Sequence, residues 1–142
     1  MSESLVLKTS NIEAFANEVW KCMLPKSFIG LRGPMGAGKT TLISGLFKDH
    51  PGMVSSPTFS LFNTYLVHGT EIIHADLYRL NDENEIDSSG FWDLFSNENS
   101  VILAEWVERI QSADIPLSWN KWVINIDVQT DLTRVYSLFR ID

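Results

Sequence analysis

A chain of 142 residues, 44% of them hydrophobic and with eight Phe and five Trp, has the size and apolar content of one folded domain, which excludes a disordered chain. Its formal net charge of −7 excludes free-standing binding to nucleic acid or an anionic membrane, both of which need clustered Lys and Arg, so any RNA is reached through a partner. The one cysteine, Cys22, excludes an internal disulfide and a Cys-rich zinc site; residues 1–4 lack a leader pattern and no apolar run approaches the ~20 residues of a membrane span, so the expected protein is soluble and cytoplasmic.

Ile12, Phe15, Ala16, Val19, Trp20 and Met23 recur at helical spacing, with Ser10 and Glu13 as a capping box and Pro25 as the stop. Residues 28–32 read as a short buried strand running into a glycine-rich turn, after which Leu42, Ile43, Leu46 and Phe47 mark one face of a second helix ending near His50, Pro51 and Gly52. Ser55, Ser56 and Pro57 signal a loop. Residues 58–67 are rich in β-formers, and the turn His68-Gly69-Thr70 joins them to a strand at 71–76 as a hairpin. Residues 81–89 read as loop or frayed helix, 91–95 as a short helix and 101–105 as a buried strand; strands around 122–128 and 135–141 finish the sheet. The expected fold is α/β: a single three-layer domain over residues 1–142, with a mostly parallel central sheet and an antiparallel extension.

Residues 33–40 satisfy G-x-x-x-x-G-K-[ST] in full, between an apolar strand and an amphipathic helix. In this motif successive backbone N–H groups wrap a β-phosphate at the positive end of the helix that begins there. Gly33, Gly36 and Gly38 remove Cβ atoms where the backbone turns or passes close to phosphate oxygens, with Ala37 between them. Lys39 neutralises β- and γ-phosphate charge, the Thr40 hydroxyl suits Mg²⁺, and Thr41 adds a hydroxyl near the α-phosphate.

A P-loop enzyme also needs an acid at the end of an adjacent strand, to hold the metal's water ligands or to orient the attacking water. Asp76 and Glu105 both end apolar strands, where nucleotide sites sit in such sheets; each is also consistent with an ordinary strand-terminal or capping acid. The guanine-reading N-K-x-D pattern is missing, since residues 120–123 are Asn-Lys-Trp-Val, so ATP is the expected nucleotide. Ser56 and Thr58 place hydroxyls in a loop that could sense the γ-phosphate, or form a plain turn. His74 shares a strand face with Asp76 and could support it, or be a structural histidine. Trp106 follows Glu105 and suits the core, nucleotide stacking or a partner surface.

These motifs together resemble the bacterial TsaE (YjeE) family, ATPases of tRNA threonylcarbamoyladenosine biosynthesis. The resemblance covers most of the chain. It rests on residues 36–41 (Gly-Ala-Gly-Lys-Thr-Thr), 56–59 (Ser-Pro-Thr-Phe) with Tyr65, 74–79 (His-Ala-Asp-Leu-Tyr-Arg), Gly90, and Glu105 with Trp106, in the family's order. It implies an ATPase that joins TsaB and TsaD proteins and supports threonylcarbamoyl transfer to adenosine in the tRNA anticodon loop, without making the modification itself. It also implies that Thr40 and Glu105 serve Mg²⁺, that Asp76 is needed for hydrolysis, that Trp106 matters for activity and that Arg134 approaches the nucleotide. The chain departs from the family at Pro34-Met35, usually Asp-Leu, and at Ala75, usually Phe.

Two other functions stay open on the residues alone. A small-molecule kinase would use Lys39, Thr40 and a strand-end acid, but needs an acceptor pocket and an Arg-bearing lid, for which the chain after Glu105 has only short segments. A nucleotide-gated interaction module would bind ATP with little turnover and present Ser56, Thr58 and Trp106 to a partner.

Overall fold

A computed structural model describes residues 2–34, 36–47, 53–55, 62–105 and 107–142, the side chains of 53–55 and of Arg79 excepted. Among them, eight strands form one sheet: β1 (Glu3–Thr9), β2 (Ser27–Arg32), β3 (Met53–Ser55), β4 (Phe62–Val67), β5 (Thr70–Asp76), β6 (Ser100–Glu105), β7 (Asn120–Val128) and β8 (Arg134–Ile141). Their order across the sheet is β1-β8-β7-β2-β6-β5-β4-β3. The four central strands, β7, β2, β6 and β5, run parallel, as the sequence leads one to expect. The antiparallel extension lies on both sides, β8 and β1 beyond β7 and β4 and β3 beyond β5.

β2 and β6 are the hydrophobic centre because both faces of each are covered, which explains their near-continuous apolar sequences. Ile29 and Leu31 of β2 and Val101 and Leu103 of β6 face the side of α1 (Ile12–Cys22) and α2 (Lys39–Leu46), where they pack with Phe15, Val19, Leu42 and Leu46. Phe28, Ile102 and Ala104 face the other side, which is covered by α3 (Glu83–Ser88), by 3₁₀ turns at Trp92–Ser96 and Ser112–Asp114, and by Trp119. Phe15, Val19, Phe28 and Phe91 are fully buried, each contributing roughly 1.5–3 kcal/mol through its removal from water.

The expected start of α1 needs correction. Asn11, not Ser10, is the N-cap, its side-chain oxygen accepting from the Ala14 N–H at 3.1 Å, so the Ser10–Glu13 box is not made. Either residue type can cap a helix, and the chain enters one residue later than the box requires. The helix ends at Cys22 as Pro25 demands, and burial pushes the Cys22 thiol up to about 11, which makes it unreactive. Ser55, read as loop, ends β3. β1 has no counterpart in the sequence reading. Residues 48–52 and 58–61, on which the end of the second helix and the start of the hairpin were expected, lie outside the described residues.

Candidate functional site

The glycine-rich turn leaves the C-terminal end of β2 and enters α2 at Gly38, which caps the helix with φ 101° and ψ 26°. That left-handed conformation favours glycine, and a Cβ there would also meet Arg134 Nε at 3.2 Å. Inside the turn, the Ala37 N–H donates to the Pro34 carbonyl at 3.0 Å and the Leu42 N–H to the Gly38 carbonyl at 2.9 Å. Met35 lies outside the described residues.

Lys39 is 5% exposed, and its ammonium donates back to the turn's own carbonyls, to Gly33 O at 2.5 Å and Pro34 O at 3.2 Å. Burial holds its pKa below the ordinary 10.5, opposed by the negative charges of Glu108, Glu105 and Asp76. Arg134, the first residue of β8, reaches the turn from the other side: Nε donates to Ala37 O at 2.7 Å and Nη2 to Gly36 O at 3.4 Å. Two cations thus hold the carbonyls of Gly33, Pro34, Gly36 and Ala37.

The two strand-end acids are brought together. Asp76 and Glu105 are register partners across β5 and β6, and alternation puts both on the face of the sheet that carries α2. Glu105 is 4% exposed; its Oε1 accepts from the Thr40 hydroxyl at 3.3 Å and its Oε2 is 2.5 Å from His74 Nε2. Asp76 uses Oδ1 to accept the Tyr78 N–H at 3.0 Å, which caps the 3₁₀ turn Leu77–Arg79. His74 therefore meets Glu105 on the next strand and not Asp76 on its own: its register partner is Leu103, two residues before Glu105, and the two side chains meet across that diagonal on the face they share.

Gly36, Ala37, Gly38, Lys39, Thr40, Thr41, Asp76, Glu105 and Arg134 line one cleft of about 360 Å³. Of the expected nucleotide residues only Gly33 is outside that lining; it closes the turn behind, with Ile126 O at 3.1 Å from where its Cβ would be. Tyr78 also lines the cleft, 43% exposed, with the Arg109 guanidinium 5.7 Å over its ring. The resemblance carried Tyr78 within its Asp-Leu-Tyr-Arg element, yet nothing in its residue type alone marks it as a cleft residue. Ser56, Thr58 and Trp106 lie outside the described residues.

The oxygen donors fit magnesium. The Thr40 hydroxyl and the Glu105 carboxylate stand within hydrogen-bond distance, hard oxygens of the kind that ion takes, with Asp76 next in register. Among the described residues no group of three or more His, Cys, Asp or Glu side chains could hold a metal by itself.

A parallel sheet whose central strand feeds a glycine-rich turn and a helix, with acids at the ends of neighbouring strands, defines the P-loop class of α/β proteins. The sequence profile of the family described as "Threonylcarbamoyl adenosine biosynthesis protein TsaE" matches residues 6–136, and the chain belongs to that family. It is 40% identical over 111 residues to the TsaE protein of Haemophilus influenzae, a match spanning 74% of this chain and 65% of that one. It is 28% identical over 144 aligned positions to that of Aquifex aeolicus, 99% of this chain and 97% of that one. Its fold matches the crystal structure of Bacillus subtilis YdiB with a TM-score of 0.69 at 23% identity, covering 100% of this chain and 89% of that one.

Proposed function

We propose that this protein binds ATP with Mg²⁺ and hydrolyses it, in the cytoplasm, in support of threonylcarbamoylation of adenosine in the tRNA anticodon loop together with TsaB and TsaD proteins. Membership of the TsaE family, described by its role in threonylcarbamoyl adenosine biosynthesis, supports the pathway. The single observation that carries the chemistry is the pairing of Thr40 with Glu105 at the mouth of the glycine-rich turn, beside Asp76.

The backbone N–H groups of residues 38–40, at the start of α2, bind and orient the phosphates, and the Ala37 N–H joins them only by giving up its bond to the Pro34 carbonyl. Lys39 exchanges its bonds to the Gly33 and Pro34 carbonyls for phosphate oxygens; burial of its ammonium strengthens that attraction, since the competing water is already gone. Thr40 and Glu105 would hold Mg²⁺, which when bound neutralises charge on the β- and γ-phosphates. Asp76, fixed through Oδ1 by the Tyr78 N–H, keeps Oδ2 to orient a water for in-line attack on the γ-phosphorus. The acidic surface expected from a net charge of −7 assigns tRNA contact to the partners.

The test is ATP hydrolysis by the purified protein, alone and with TsaB and TsaD, beside a Lys39→Ala control. Slow turnover that the partners accelerate and the variant abolishes is the expected result. ATP binding with no response to either partner would replace this reading with a switch, and stimulation by a small phosphate acceptor would replace it with a kinase.

A further inference from the structure

The two oxygens of the Glu105 carboxylate have different neighbours. Oε1 accepts from the Thr40 hydroxyl at 3.3 Å, while Oε2 lies 2.5 Å from Nε2 of His74. Both side chains of the second contact are buried, Glu105 at 4% and His74 at 8% exposure. His74 stands opposite Leu103 in the register of β5 and β6, one alternation behind the Asp76–Glu105 pair, so its ring lies under the carboxylate from the neighbouring strand. A glutamate has three rotatable side-chain bonds, and an anchor on one oxygen fixes the direction of the other.

We infer that His74 is a positioning residue: its Nε2–H donates to Glu105 Oε2 and holds Oε1 toward the Thr40 hydroxyl. The inference rests on the reading of Thr40 and Glu105 as the magnesium end of the site. It asks for no proton transfer; it requires only that Nε2 carry the hydrogen, since a carboxylate oxygen can only accept. The logic is that of outer partners in metal sites, which orient a ligand without touching the ion and cost about 10- to 100-fold in metal affinity or activity when removed. The requirement is therefore a donor at the distance of Nε2 from the backbone. Glutamine offers one at nearly that reach, asparagine falls short, and leucine fills the space with no donor.

The experiment measures ATP affinity by calorimetry in Mg²⁺ and again in EDTA, with melting temperatures, for the full chain as wild type, His74→Gln, His74→Asn, His74→Leu, Glu105→Gln and the double variant His74→Leu/Glu105→Gln. The expected result is a loss of about tenfold for His74→Leu and His74→Asn in Mg²⁺ only, recovery of most of it in His74→Gln, and no added loss from His74→Leu once Glu105 is Gln. If His74→Leu does not fold, the Gln and Asn pair carries the comparison. Equal losses in Mg²⁺ and EDTA, no loss at all, or a full loss that persists beside Glu105→Gln would overturn the role of His74. A wild-type chain whose ATP affinity ignores Mg²⁺ would overturn the Thr40–Glu105 reading and His74 with it, whereas magnesium dependence intact in wild type and His74→Leu overturns His74 alone.

Discussion

Asp76 and Glu105 end adjacent parallel strands as register partners, yet Glu105 is enclosed by Thr40 and His74 while Asp76, half-buried, is tied among the described residues through Oδ1 to the Tyr78 N–H. That difference divides their work. Glu105→Gln is expected to lower ATP affinity in Mg²⁺ and leave it unchanged in EDTA. Asp76→Asn keeps an oxygen for the Tyr78 N–H, so it should bind ATP within about twofold of wild type while partner-stimulated hydrolysis drops about 100-fold or more, the usual scale for a lost general base or water-orienting group. Undiminished turnover in Asp76→Asn would reassign the water to another residue.

Lys39 gives a pH signature. Its ammonium is desolvated by burial, which holds its pKa below the ordinary 10.5 despite three acids nearby. Only the charged form attracts phosphate, so ATP affinity should fall as pH rises, with the alkaline limb centred below 10.5. Lys39→Arg keeps its charge throughout that range, and whatever affinity it retains should show no such limb. Calorimetric titrations across alkaline pH, kept below the onset of unfolding, read both profiles; identical limbs in the two proteins would locate the titration elsewhere.

Gly30, in the middle of β2, is held to glycine by space. A Cβ there would lie 2.5 Å from Val107 Cγ2 and 2.8 Å from Val107 Cβ, closer than atoms pack. Gly30→Ala must push back the turn Val107–Arg109, which follows directly on from the Glu105 end of the site. The expected cost is about 1–3 kcal/mol, the usual range for overpacking a core, seen as a lower midpoint in urea with the slope unchanged. Adding Val107→Ala removes the Cγ contacts, the 2.5 Å one among them, but keeps the Cβ at 2.8 Å, so it should return only part of the loss; a double variant no better than the sum of the singles would show that the Cγ clash is not the cause.

The parts of this molecule legible in its sequence are those specified locally. Strand, glycine turn and helix at 28–47 follow from an apolar run, four motif positions and helical spacing, all within twenty residues, and the structure returns them as β2 and α2. The strands ending in Asp76 and Glu105 were legible as apolar runs closed by an acid. β1 was not legible, because its residues alternate poorly and stay largely exposed, and it is held by pairing with β8 at the opposite end of the chain. The same reason hid the partner of His74: alternation along one strand points to Asp76, whereas the bond to Glu105 depends on a register between segments 31 residues apart. Arg134 was placed near the nucleotide by resemblance alone, and the structure puts it against the carbonyl side of the turn.

That placement makes Arg134 testable as a brace. Its bonds to the Ala37 and Gly36 carbonyls fix the orientation of two successive peptide groups of the turn that lines the cleft. A brace acts on the shape of the turn and is indifferent to how many phosphates the ligand carries. Arg134→Ala is therefore expected to weaken ATP and ADP binding alike, by about tenfold, the equivalent of ~1.4 kcal/mol and modest for a charge-assisted bond because the side chain is exposed. Arg134→Lys, able to reach one carbonyl as a point charge, should recover part of it. A loss confined to ATP would instead put the guanidinium on the γ-phosphate, which requires it to leave the Ala37 carbonyl when nucleotide binds. Calorimetry with both nucleotides, in Mg²⁺ and in EDTA, separates the two.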